Sequence, residues 1–294
     1  ARTYLTPAML FDVSRVEQLR GPQGTLYGRN ATGGAVNIIT NDPQGDFGFN
    51  ASLEAGSYSL MRVEAALNLP ISDTLQVRVA GLRSVRDGYI SNGLGDQDQT
   101  AVRGKIKWTP SDRFTAVFGA TYVKIGGKGV GDVALNQITG DVLDPSHPWQ
   151  DTLYGANRGN TDMDGITLTA KLDYDLGFAN LVSVTGYQKI NGDSPDLPTA
   201  GVTFVDIFND RQFSQELRLV SNSSADAAGK LSWVLGAYYF NEDANRYNLN
   251  KDIRILVPEN SPLLAFGFQP RQVLASLPNI VKNFDVINTE SWAL

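Results

Sequence analysis

The sequence predicts an all-β membrane protein, an antiparallel transmembrane β-barrel of which about ten strands are present, and three observations carry that prediction. Apolar and polar residues alternate with a period of two through successive runs, the period that sends neighbouring side chains to opposite faces of a sheet. The runs reach roughly ten residues, longer than the usual ~5–6 and matched to the ~9–11 that a tilted membrane-spanning strand needs. Tight links take turns with long ones, as in a barrel with short turns on one side of the membrane and large loops on the other.

Phe47, Phe49, Ala51, Leu53 and Ala55 alternate with Gly48, Asn50, Ser52 and Glu54. Val63, Ala65, Leu67 and Leu69 alternate with Arg62, Glu64, Ala66 and Asn68. Leu75, Val77 and Val79 alternate with Gln76, Arg78 and Ala80, and Val102, Gly104, Ile106 and Trp108 with Arg103, Lys105, Lys107 and Thr109. Ile166, Leu168, Ala170, Leu172 and Tyr174 repeat the pattern against Thr167, Thr169, Lys171 and Asp173. Less regular runs at Phe114–Lys124, Ala179–Ile190, Arg211–Ser221 and Leu231–Asp243 read as further strands, and a last one begins near Thr289. Gly56–Ser59, Ile71–Thr74, Pro110–Arg113 and Leu176–Phe178 are short links, with Asn222–Lys230 somewhat longer. Asp87–Gln99, Ile125–Thr161, Asn191–Asp210 and Ala244–Asn288 are long, and structureless loops of that length count against a compact soluble domain. Tyr89, Trp108, Tyr122, Tyr174, Tyr187, Trp233, Tyr238 and Tyr239 lie near strand ends, where aromatic girdles meet the membrane surfaces.

Composition narrows the function. The 294 residues carry a net charge of −6, which argues against a nucleic-acid partner, since phosphates need a concentrated basic surface. Cysteine is absent and His147 is the single histidine, so no disulfide framework, thiolate metal site or multi-histidine centre is expected. Neither a cofactor nor a resident metal is predicted. The glycines at 21, 24, 28, 33 and 34 do not fit a phosphate-binding loop. His147 has no nucleophile elbow to serve. Asn160–Gly165 lacks the distal acid of a calcium loop, because Lys171 stands there. The chain is therefore expected not to be an enzyme. A β-rich hydrolase using loop carboxylates such as Asp141 and Asp144 is an alternative, as is a β-rich surface binding module that transports nothing.

Residues 1–45 differ in texture and end in the Asn41-Asp42-Pro43-Gln44-Gly45 linker. Val16 to Thr40 reads Val-Glu-Gln-Leu-Arg-Gly-Pro-Gln-Gly-Thr-Leu-Tyr-Gly-Arg-Asn-Ala-Thr-Gly-Gly-Ala-Val-Asn-Ile-Ile-Thr. Gly21-Pro22-Gln23-Gly24 is a turn by composition. The stretch resembles the C-terminal half of the plug domain of TonB-dependent outer-membrane receptors, through Val16-Glu17, Leu19 to Pro22, Leu26-Tyr27-Gly28, Gly33-Gly34 and Asn37-Ile38. Gly24 belongs to the same motif. Phe213 to Leu219 is similar to a barrel strand of that family.

The resemblance implies a small, partial α+β plug over residues 1–45 and the first part of a barrel over 46–294. In the family the barrel has about 22 strands, so the chain reads as a fragment. The implied activity is uptake of a scarce solute across the Gram-negative outer membrane, most often a ferric siderophore, powered through TonB. Outer-membrane lipid is the surrounding partner, and the segment that touches TonB is expected upstream of residue 1. Glu17 and Arg20 are expected to latch the plug to luminal charges such as Arg62, Glu64, Arg78, Arg103, Lys105, Glu216 and Arg218. Arg29 and Asn30 at the plug apex, with His147, Trp149 and Tyr154 in a long loop, are expected to contact ligand.

Overall fold

The computed structural model describes residues 6–21, 33–90, 93–129, 160–195, 203–222, 232–251, 253–256, 273–277 and 282–293. The chain begins with a single helical turn, α1 (Thr6–Met9), followed by an antiparallel pair, β1 (Val13–Arg20) and β2 (Gly34–Thr40). A ten-stranded antiparallel sheet comes next. Its strands are β3 (Gly48–Gly56), β4 (Leu60–Ser72), β5 (Leu75–Arg86), β6 (Gln97–Ser111), β7 (Phe114–Gly126), β8 (Asp162–Asp175), β9 (Ala179–Pro195), β10 (Thr203–Ser221), β11 (Val234–Lys251) and β14 (Lys282–Ala293). Each strand pairs with its neighbour in sequence, except that the hairpin of β12 (Ile253–Leu256) and β13 (Val273–Leu277) is inserted between β11 and β14.

This meander follows from the sequence pattern. A strand with one apolar and one polar face has a fixed register, because a slip of one residue would turn every side chain to the wrong side. Across the sheet, Leu168 stands opposite Tyr187 and Ala120, and Tyr187 opposite Phe213. The outward face exposes Phe49, Leu53, Val79, Val102, Ile106, Phe118, Ile166, Leu168 and Leu217. A continuous apolar surface of that extent belongs in lipid. Trp108, Phe114 and Tyr174 form a chain of ring contacts beside the short turns, with centroids 5.7 and 6.3 Å apart. Tyr122, Tyr187, Phe213, Tyr239 and Trp292 lie toward the other end of the outward face. From Phe114 to Tyr122 the strand covers about 26 Å at ~3.3 Å per residue, and tilting reduces this to roughly 20 Å across the membrane, close to the ~25 Å apolar band of such barrels.

The inward face is polar. Asn68, Gln76, Arg78, Arg103, Thr121, Asp210 and Glu242 are buried on it. Tyr238 belongs to this face too, stacked near Phe240 and opposite Glu216, so only Tyr239 of that tyrosine pair can join the outer girdle. Period two allows no other result for adjacent residues.

The strands run further than alternation predicts. β9, β10 and β11 hold 17, 19 and 18 residues, and they take up much of the expected loops at 191–210 and 244–288. Backbone groups above the apolar band still need partners, and the neighbouring strand supplies them. Side chains there are wet on both faces, so nothing selects alternation. The Asn209 amide, for example, donates to Asn191 Oδ1 across the pair at 2.7 Å.

Phe118 lies mid-strand on the lipid face and is 44% exposed. Phe118→Arg is expected to destabilise the folded protein in lipid by about 2–4 kcal/mol. The same charge at inward-facing Gln188 should cost less than half as much, read by denaturant titration in vesicles.

Candidate functional site

The inner surface of β4, β5 and β6 holds the N-terminal segment through cations. Asp12 ends the approach to β1 with a positive φ of 49°, a left-handed conformation that aspartate tolerates better than most residues. Its carboxylate accepts from Arg78 Nε at 2.8 Å and from Arg78 Nη2 at 2.5 Å, a two-point fork. Asn41, leaving β2, donates to the same carboxylate at 2.8 Å, and its backbone N–H donates to the Asp12 carbonyl at 3.0 Å. The two ends of the β1–β2 pair are thus gathered at one point of the wall. The Arg78 and Asp12 side chains are only 8% and 6% exposed.

Arg103 is the second anchor. It donates to the carbonyls of Phe11 at 2.7 Å and Met9 at 3.2 Å, and to Thr121 Oγ1 at 3.1 Å. Its guanidinium carbon sits 4.3 Å from the centroid of the Phe11 ring, a cation–π contact. Lys105 Nζ reaches Asp42 at 2.7 Å and the Thr40 carbonyl at 3.2 Å. Asn68 ties down the exit, donating to the Gln44 carbonyl at 2.9 Å and accepting from the Gln44 N–H at 3.0 Å. Beneath these contacts Ala8 and Phe11 join Leu82, Ala101, Val123, Ile125, Met163, Ile190 and Phe208 in one buried cluster.

The electrostatics favour a charged Asp12. Burial by itself would raise its pKa, but the hydrogen bonds from Arg78 and Asn41, with the charges of Arg78 and Arg103, hold the carboxyl below its ordinary value. Beside it a cleft of about 230 Å³ lies between Phe11 and the wall, lined by Asn41, Asn50, Ser52 and Glu64. Among the described residues no group of three or more His, Cys, Asp or Glu is placed to hold a metal ion. The arrangement grips a peptide segment; it offers no nucleophile and base in partnership.

The chain is 29% identical over 281 residues to the pesticin receptor of Yersinia enterocolitica, a match that takes in 92% of this chain and 39% of that receptor. Over 97 residues, 33% of this chain and 11% of the relative, it is 35% identical to the catecholate siderophore receptor Fiu of Escherichia coli K12. The crystal structure of the ferric yersiniabactin uptake receptor FyuA of Yersinia pestis superposes with a TM-score of 0.68 and 25% identity, covering 82% of this chain and 38% of that one. This chain's homologues are siderophore TonB-dependent receptors. The siderophore receptor PiuA of Acinetobacter baumannii shares the fold, with a TM-score of 0.65 at 19% identity over 96% of this chain and 44% of that one. No family model matches the chain. The homologue spans about 39% of the length of the pesticin receptors it matches. Its relatives are outer-membrane receptors of Gram-negative bacteria.

In this receptor homologue the carboxylate that meets the wall is Asp12, whereas Glu17 is engaged within its own hairpin. Arg15, two residues away on the same face of β1, donates to Glu17 at 2.7 Å, and its cross-strand partner Asn37 donates at 3.3 Å. Arg20 stands at the end of β1 opposite Gly34. Of the luminal charges expected to latch the plug, Arg78, Arg103 and Lys105 touch the N-terminal segment. Arg62 pairs with Glu64 and makes a long 3.5 Å approach to the Leu10 carbonyl. Glu216 and Arg218 pair with each other. Gly21 has a φ of +82°, and a Cβ on Gly34 would collide with the Leu19 carbonyl oxygen, so both positions call for glycine. Gly33 faces open space. Pro22, Gly24, Tyr27, Gly28, Arg29, Asn30, Asp141, Asp144, His147, Trp149 and Tyr154 lie outside the described residues. Sequence reasoning missed Asp12, Asn41 and Asn68; the available signal was an acid at the entry to β1 and an amide just beyond β2.

Arg78→Ala leaves the Asp12 carboxylate buried without its fork and is expected to destabilise docking of the N-terminal segment by about 3–5 kcal/mol, measured as faster hydrogen exchange in β1 and β2. Acid acts in the same direction. Because the Asp12 pKa is lowered in the fold, its contribution is complete above the ordinary aspartate value of 3.8 and is lost as pH falls through the lower folded value. Exchange protection of β1 and β2 should therefore hold from neutral pH down to about 4 and fall only below it.

Proposed function

We propose that the whole protein carrying this chain is an active transporter of the outer membrane that takes up a ferric siderophore, using energy relayed by TonB. Residues 1–45 are the part of a plug and 46–294 the part of the barrel around it. The observation that carries the reading is a peptide segment held by Arg78, Arg103 and Lys105 against the inner side of a sheet whose outer side is apolar. Pesticin, catecholate siderophore and ferric yersiniabactin receptors among its relatives support the cargo.

The physical logic is that of a stoppered pore. A wide barrel left open would leak, so the plug must block it and still yield to a pull. The contacts are suited to that. Most are hydrogen bonds to carbonyls and carboxylates, which water can replace one by one once the apolar cluster around Phe11 parts. Ligand would enter from the end with the long loops, meeting Arg29 and Asn30 on the plug and His147, Trp149 and Tyr154 on the loop. A ferric chelate brings its iron already coordinated, so a site poor in histidine and free of cysteine suits it.

The test is uptake of radioactive iron by cells whose only ferric-siderophore receptor is the full-length protein, offered hydroxamate, catecholate and phenolate chelates in turn. Uptake of at least one chelate is expected, and it should stop when TonB is deleted or a protonophore is added. Uptake that persists without TonB, or binding with no uptake, would overturn the proposal.

A further inference from the structure

We infer that Asp96 is a positioning residue for ligand binding: it ties the link between β5 and β6 to the base of the link between β7 and β8, so that these outer connections meet a chelate as one preformed rim. The inference rests on the uptake reading and deepens it. Asp96 stands just before β6, at the end of the sheet away from the β4–β5 and β6–β7 turns. Its carboxylate accepts from the backbone N–H of Lys128 at 2.8 Å and of Gly129 at 2.9 Å. The Gly95 N–H donates to the Gly129 carbonyl at 2.8 Å, and the Thr161 N–H donates to the Gly127 carbonyl at 2.8 Å. Both ends of the β7–β8 link are thereby fixed, 161 against 127 and 128–129 against 95–96. His147, Trp149 and Tyr154, the expected ligand contacts, fall between those ends in sequence.

The residues at the joint suit it. Gly127 has a φ of +102°, and a Cβ there would lie 2.6 Å from Asp96 Oδ2, so both the backbone and the space call for glycine. The β5–β6 link is itself held from the other side. Arg86 donates to the Gly95 carbonyl at 2.7 Å, and its guanidinium carbon sits 5.7 Å from the centroid of the Tyr89 ring. That ring lies against Gly95, where a Cβ would strike it, and meets the Tyr58 ring edge-on at 6.4 Å. The Asp87 N–H donates to the Tyr58 carbonyl at 2.7 Å. Contacts therefore run without a break from the β3–β4 turn to the base of the β7–β8 link. Asp98, two residues beyond Asp96, takes no part in the joint and pairs with Arg83.

A carboxylate is the group this joint needs. It accepts two neighbouring N–H groups at once, whereas an asparagine offers one acceptor oxygen and turns a donor toward the second N–H. A link whose base is already placed has less ordering left to supply when ligand binds, and the saving appears as affinity. Passage through the pore depends on the grip of Arg78 and Arg103 on the plug, elsewhere on the wall. Asp96 therefore acts on the KM for uptake and leaves the maximal rate alone.

The experiment uses cells whose only ferric-siderophore receptor is the full-length protein. Tris-hydroxamate, tris-catecholate and phenolate chelates of radioactive iron are each titrated, with uptake normalised to receptor at the surface. Asp96→Asn should raise the KM of every chelate taken up by about ten-fold, with the maximal rate unchanged. Gly127→Ala breaks the joint from the opposite side and should match it, and the double variant should lose no more than either single one. Asp98→Asn should behave as the unaltered protein. Heat-shifted gel mobility establishes that each variant is folded. An unchanged KM in Asp96→Asn, a fall in maximal rate in its place, additive losses in the double variant, or an equal loss in Asp98→Asn would overturn the proposal while the transport reading stands. Failure of the unaltered receptor to take up any of the chelates would overturn the transport reading and this inference with it.

Discussion

Hydrocarbon offers the backbone no hydrogen-bond partner, and the arrangement of this chain follows from that constraint. Strands must satisfy one another, so each lies antiparallel to its sequence neighbour through nearly the whole ten-stranded sheet. Once paired, their side chains can point only toward lipid or toward the lumen. Phe118 and Leu168 go one way; Arg103, Thr121 and Gln188 go the other. The polar surface that grips the N-terminal segment is thus the reverse side of the surface that meets the membrane.

The grip has a division of labour. Arg78 and Arg103 are buried cations, and each would be costly without a partner. The N-terminal segment provides those partners as the Asp12 carboxylate and as the free carbonyls of Met9 and Phe11. Docking therefore satisfies the wall as much as it satisfies the plug. Phe11 adds apolar burial under Arg103, so one short stretch, residues 8–12, combines a hydrophobic anchor with an electrostatic one. By contrast, Glu216 with Arg218 and Lys171 with Asp173 are satisfied along their own strands, two residues apart. The grip is concentrated on β4, β5 and β6, while farther along the sheet wall charges neutralise one another.

The lipid face carries its own asymmetry. Beside the tight turns it ends in aromatic rings, Trp108, Phe114 and Tyr174. Toward the long links it ends in charges over rings.

Much of this was legible from residue order alone. Alternation located the long strands, because lipid on one face and water on the other impose it residue by residue. The Leu19–Pro22 and Gly33–Gly34 motifs pointed to the family for a related reason: Gly21 and Gly34 occupy backbone conformations that few other residues accept. Local order could not show where the strands of β9, β10 and β11 stop, since above the membrane no face selects apolar residues. Nor could it show which acid meets the wall. Glu17 and Asp12 are equally plausible in a list of charges, but β1 places Arg15 and Asn37 beside Glu17, while the left-handed turn at Asp12 aims its carboxylate at Arg78, 66 residues away in sequence. Periodicity is a property of neighbours along the chain and can be read there. Charge pairing across a lumen depends on which surfaces folding brings together, and only the tertiary structure decides it.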